Sequence, residues 1–287
     1  TGIDHTIAIG YSALQALTTG GGNIAIGYQA GDSLTTGGHN VAIGYGALDA
    51  EDTGVENVAI GTNAMGLATG GVQQCTAVGH QALQNNLVTS GDNPSGATAI
   101  GFESGTNVTT AIGFTGLGWR SGYTNSAADW STFVGYAAGY SGNFNHNNTY
   151  VGYKSGYGAS AGGESNVGVG ANSLLAVNGA AANVATGYGA LISLTSGDYN
   201  VAVGANSLDA LTTGSKNVAI GRNALGAAGA AEDANIAIGY HAMDGADEGS
   251  SGTIDNNIAI GRGALTGGDF NTSSTTFTEN IAIGTTA

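Results

Sequence analysis

"NIAIGYQAGDSLTTGGHNVAIGYGAL", from Asn23 to Leu48, says nearly the same thing twice. Asn-Ile-Ala-Ile-Gly ending at Gly27 returns as Asn-Val-Ala-Ile-Gly ending at Gly44, 17 residues later. Self-similarity at a fixed period marks a repeat architecture and outranks any local reading of secondary structure. With the glycine as anchor, sixteen copies run through Gly10, Gly27, Gly44, Gly61, Gly79, Gly101, Gly113, Gly135, Gly152, Gly170, Gly187, Gly204, Gly221, Gly239, Gly261 and Gly284. Their spacings are 17, 17, 17, 18, 22, 12, 22, 17, 18, 17, 17, 17, 18, 22 and 23, so residues 1–287 form a single array.

Each slot of the repeat has its own requirement. The residues one and three before the glycine are Ile, Val or Thr in all sixteen copies. Residues two apart on a strand share a face, which predicts that this β-branched pair points into a coil interior. Between them stands Ala in thirteen copies, with Phe133, Tyr150 and Gly168 as exceptions. A solvated strand face alternates toward polar residues. A small apolar face instead predicts a second layer lying very close. On this reading Ala25, Ala42, Ala59, Ala185, Ala202, Ala219, Ala237 and Ala259 form a subunit interface. Asn precedes the strand in eleven copies, among them Asn23, Asn40, Asn57, Asn183 and Asn217. Asn suits a coil corner and can form side-chain ladders between stacked coils. A second apolar step, such as Ala13-Leu14 or Ala224-Leu225, reads as the return side, and "LTTG" closes the turn. Strand, corner, strand, corner in about 17 residues is an all-β, parallel β-solenoid of about sixteen coils.

Composition agrees. Glycine supplies 53 of 287 residues without the every-third-residue period of collagen. A hydrophobic fraction of 41% with 9% charged residues argues against disorder. Twenty acidic residues against five basic give a net charge of −15, which repels phosphate backbones and makes nucleic acid an unsuitable partner. No apolar run reaches the roughly 18 residues of a membrane span, so membrane insertion is not expected. Cys75 is the single cysteine, which excludes an intrachain disulfide. A start at Thr1 and an end in mid-phrase, "NIAIGTTA", suggest a part of something longer.

These phrases carry a family likeness. "NIAIG", "NVAIG" and "NVAVG" resemble the head repeats of trimeric adhesins, and the longer "NxAIGYxAL…LTTG" looks still more like repeats of bacteriophage tail fibres. The likeness covers essentially the whole chain. It implies left-handed parallel β-rolls in which three chains share an axis, hence a homotrimer on a virion or otherwise at a cell surface. The usual adhesin head repeat is shorter, and nothing here resembles a coiled-coil stalk or membrane anchor.

Function in a repeat protein tends to sit where the repeat is broken. The strongest break spans residues 88–164, and twelve of the twenty aromatics fall between Phe102 and Tyr157. Trp119, Arg120, Tyr123, Trp130, Tyr136, Tyr140 and Asn145 are therefore candidates for a receptor patch. In such a patch, aromatic faces would stack on sugar rings while Asn143, Asn145 and Asn147 supply hydrogen bonds. The competing reading is that large side chains fill a wider core, as Phe133 and Tyr150 in the alanine slot suggest. A second break, residues 244–257, inserts an acidic loop whose Asp244, Asp247, Glu248 and Asp255 match no calcium-loop spacing. The cluster Asp49, Glu51, Asp52 and Glu56 reads as a solvated loop.

Catalytic motifs occur only by accident. Gly158-Ala159-Ser160-Ala161-Gly162 fits a nucleophile elbow in letters but sits in a glycine-rich linker without the required strand and helix. The five histidines lack partner spacing for zinc. No enzyme, metal or cofactor is expected. The expected function is a structural and adhesive fibre segment, as in a phage tail fibre, presenting a multivalent surface to a host glycan or outer-membrane receptor. The head of a bacterial trimeric surface adhesin is the alternative, and a glycan-depolymerising tailspike a more distant one.

Overall fold

The computed structural model describes residues 4–86, 96–110, 112–142, 146–158, 163–227, 231–245, 253–266 and 276–287. Asn143, Asn145, Ser160, Asp247 and Glu248 lie outside them. The chain divides into two compact units, Thr1–Asn148 and Thr149–Ala287.

The architecture is a parallel β-solenoid with no helix among the described residues. In the first unit, eight three-residue strands stack in chain order: Ile7–Ile9, Ile24–Ile26, Val41–Ile43, Val58–Ile60, Thr76–Val78, Thr98–Ile100, Thr115–Leu117 and Thr132–Val134. The second unit repeats this with Thr149–Val151, Val167–Val169, Val184–Thr186, Val201–Val203, Val218–Ile220, Ile236–Ile238, Ile258–Ile260 and Ile281–Ile283. Pairing is in register, so Ala25 lies beside Ala42 and Ala202 beside Ala219. The corner glycine is what allows coils to stack this closely. A Cβ on Gly27, at φ +141°, would sit 2.4 Å from the carbonyl oxygen of Gly44, and no side chain fits there.

Four expectations are corrected. The seventh anchor is Gly118 at φ +131°, not Gly113. Ala111-Ile112-Gly113 fits the pattern in letters, but the strand is Thr115–Leu117. Gly113, at φ +64°, occupies the corner before the strand, the slot that His39 fills elsewhere at φ 60°. Pairing of Thr115–Leu117 with the strands on either side decides the matter. The spacings 22, 12 and 22 thereby become 22, 17 and 17, so much of the supposed break at residues 88–164 is regular.

The facing of the strand is also inverted. Ala25, Ala42, Ala59, Ala185, Ala202, Ala219, Ala237 and Ala259 are at most 2% exposed within the single chain. They point into their own coil and form no outward interface. The β-branched residues flanking them face out, with Ile100 42% and Ile220 40% exposed. The close second layer inferred from alanine is real, but it is the chain's own return side. Leucines from that side, such as Leu48, Leu191 and Leu208, fill the interior and leave room only for a methyl on the strand.

Nor is the return side a strand. It is a run of turns in which alternate residues adopt left-handed geometry, as at Asn206 (φ 52°) and Leu208 (φ 53°). Among the described residues a second strand pair, Thr253–Asp255 with Thr276–Thr278, appears in wider coils near the C-terminal end, and a single parallel bridge joins Val55 to Gln73.

Buried asparagines tie successive coils together. Asn200 Nδ2 donates to Asn183 Oδ1 at 3.0 Å and to the Gly214 carbonyl at 2.9 Å, while its Oδ1 accepts from the backbone N–H and Nδ2 of Asn217. In the second unit this ladder runs from Asn166 to Asn280. In the first it stops after Asn57, where Cys75, Ala97, Phe114 and Ser131 take the slot. Glu51 is also buried rather than solvated. Its carboxylate accepts from the N–H groups of Asp52, Thr53, Gly54, Gly71 and Val72.

Candidate functional site

The residue after each corner glycine projects outward, and successive coils align these residues in a column. In the first unit Tyr11, Tyr28 and Tyr45 stack with ring centroids 5.3 and 5.2 Å apart. Further along, His80, Phe102, Trp119 and Tyr136 form a second stack at 5.0, 6.4 and 4.5 Å, with rings within 9° of parallel. Strands about 4.8 Å apart impose this geometry on any aromatic placed in register.

Around the second stack the sequence-derived candidates come together. Arg120 lies 4.5 Å from the Trp119 ring centroid and 5.0 Å from that of Tyr123. Tyr123 stacks on Tyr140 at 5.3 Å. Arg120 Nε donates to Glu103 Oε2 at 2.5 Å, and this bond raises the guanidinium pKa from its ordinary value. The guanidinium is thus fixed between two aromatic stacks and keeps donors free on its other nitrogens.

Trp130 is not part of this cluster. It occupies the corner before its strand, packs over Gly113, and is 61% exposed. The strand Thr132–Val134 separates it from Tyr136. Asn145 lies outside the described residues.

Two readings of the aromatic-rich section are both realised, by different residues. Phe114, Phe133 and Tyr150 lie inside the coil, with Phe114 and Phe133 edge to face at 5.8 Å. Phe102, Trp119, Tyr136 and Tyr153 lie outside. Because Phe102 and Tyr136 flank Trp119 on its two faces, the column presents ring edges, hydroxyls and an indole N–H to a ligand, rather than open faces.

Asp244 pairs with His241, and no three of His, Cys, Asp or Glu gather among the described residues, which do not include Asp247 and Glu248. Burial and the nearby Asp32 raise the Asp49 pKa, and burial with Asp244 raises that of Asp209.

Four of the five basic residues, Arg120, Lys154, Arg222 and Arg262, stand one or two places after a corner glycine, each over an aromatic ring. The sequence reading missed Arg222 and Arg262. Aligning all copies on the true corner glycines and reading the next residue down the column would have found them.

Comparison of the chain with protein-family models, with curated proteins and with solved structures finds no match.

Proposed function

We propose that the chain is a structural and adhesive fibre segment, of the phage tail-fibre kind that its NxAIG phrases resemble. Three copies would present a multivalent surface to a host glycan or outer-membrane receptor. The supporting observation is the outward strand face. Rows of Val, Ile and Thr run along each unit with residues such as Ile26, Ile100, Val203 and Ile260 more than one-third exposed. A contiguous apolar face of this kind marks an interaction surface. Association of three copies through it buries those rows and leaves the glycine-corner columns outside. Rigid presentation of three weak sites then raises avidity through effective concentration.

Light scattering tests assembly, with an expected mass of three times 27.9 kDa and a monodisperse monomer as the contrary result. Adhesion to host cells and to a glycan panel tests the receptor surface. Trp119→Ala should weaken binding by removing the centre of the column. Retention of full binding by both Trp119→Ala and Trp130→Ala would remove the aromatic section from the receptor surface.

A further inference from the structure

The column in the second unit contains a motif that differs from the aromatic stacks. Arg222, Tyr240 and Arg262 follow Gly221, Gly239 and Gly261, and all three side chains are exposed. The two guanidinium carbons lie 5.9 and 5.8 Å from the centroid of the one tyrosine ring. Stacking of the corners holds them in line, since His241 N–H donates to the Arg222 carbonyl at 3.0 Å and Gly263 N–H to the Tyr240 carbonyl at 2.9 Å. Among the described residues neither arginine has a carboxylate within ion-pair distance, in a chain with twenty acidic groups. Arg120, by contrast, is paired with Glu103.

Beside Tyr240 opens a cleft of about 330 Å³, lined by Tyr240, His241, Arg262, Thr266, Thr285 and Thr286. That volume lies in the range of small-ligand sites. Thr266 donates its hydroxyl to the Gly263 carbonyl at 2.9 Å, and Thr286 donates to Thr285 at 2.7 Å. Each hydroxyl proton is directed to a backbone carbonyl, and the threonine oxygens keep acceptor capacity.

We infer that Arg222, Tyr240, Arg262 and the adjoining cleft bind an acidic oligosaccharide, with the arginines gripping carboxylates and the threonines accepting sugar hydroxyls. The guanidinium fork matches a carboxylate in two-point geometry. Two coil steps place the arginines roughly 10 Å apart, so that nearby acidic sugars of one chain reach both. The chain's net charge of −15 repels a long polyanion and selects a short ligand with few charges. This site deepens the adhesive reading and rests on it for its biological setting.

The test is calorimetry of the full chain at low salt with tetragalacturonate, maltotetraose and sulfated maltotetraose. The parent is expected to bind the uronate at least tenfold more tightly than either other sugar. Arg222→Gln/Arg262→Gln should lose at least tenfold with an unchanged melting profile, whereas Lys216→Gln, at the opposite corner, should match the parent. No uronate binding, equal binding by the double variant, or preference for the sulfated sugar overturns the site. Host-cell adhesion measured in parallel separates the two proposals. Adhesion by a parent protein that binds no uronate removes this site alone. Uronate binding that needs both arginines, with no adhesion to any host cell, removes the adhesive reading alone.

Discussion

A Cβ placed on Gly156 would lie 2.4 Å from the ring of Tyr150, which fills the slot that alanine holds in most coils. The glycine is there because of the ring and not because of its φ of +62°, since Leu174 keeps φ 49° and Leu208 φ 53° at the same place in other coils. Phe133 meets Gly139, and Phe114 meets Gly122, in the same way. Gly156→Ala should therefore destabilise by about 1–3 kcal/mol through overpacking. The same change in a Tyr150→Ala background should cost far less, and denaturant melts of the four proteins would give a strongly non-additive cycle.

The inward alanine and outward β-branched residue predict opposite phenotypes for adjacent substitutions. Ala202→Glu buries an unpaired charge inside the coil and should abolish folding of its surroundings, with loss of the β signal in circular dichroism. Val203→Glu, on the outer face, should leave that signal intact and lower the mass seen by light scattering. Equal effects on folding would contradict the facing described here.

The Asn200 side chain makes four hydrogen bonds along the buried ladder. Asn200→Ala strands partners on two neighbouring coils and should cost about 2–4 kcal/mol. Asn200→Asp should be worse at neutral pH, because a carboxylate accepts where the amide donated to Asn183 and Gly214. Its deficit should shrink on acidification as the buried carboxylate takes up a proton. Thermal melts at pH 4 and pH 7 check both statements.

Burial pushes the Cys75 thiol from 9.0 up to about 11, against opposing hydrogen bonds from its surroundings. The unfolded chain ionises first as pH rises, so stability is level below about pH 9 and falls between about 9 and 11. The loss attributable to this group is up to roughly 3 kcal/mol and should vanish in Cys75→Ala when the two pH profiles are compared. Native Cys75 should also resist alkylation at pH 8 until the protein is unfolded.

Much of this was legible in the letters. The glycine anchors, the repeat length and the asparagine ladder follow from spacing and residue type, because stacked coils repeat every local demand. The one misplaced anchor shows where that logic fails. Ala111-Ile112-Gly113 satisfies the local pattern as well as Thr115-Gly116-Leu117-Gly118 does, and only pairing with the neighbouring strands selects the second. Among the receptor candidates, the clustering of Trp119, Arg120 and Tyr123 was anticipated. The separation of Trp130 was not, because it depends on which side of a strand each corner falls.

By itself, the sequence determined that this chain stacks as a parallel solenoid, since a period of about 17 with glycine, β-branched and asparagine slots admits little else. Tertiary structure alone decided which way each strand faces. An alternating pattern of Ala and Val or Ile is apolar on both faces, so polarity cannot orient it. The volume left by the leucines of the return side can, and it admits only the alanine.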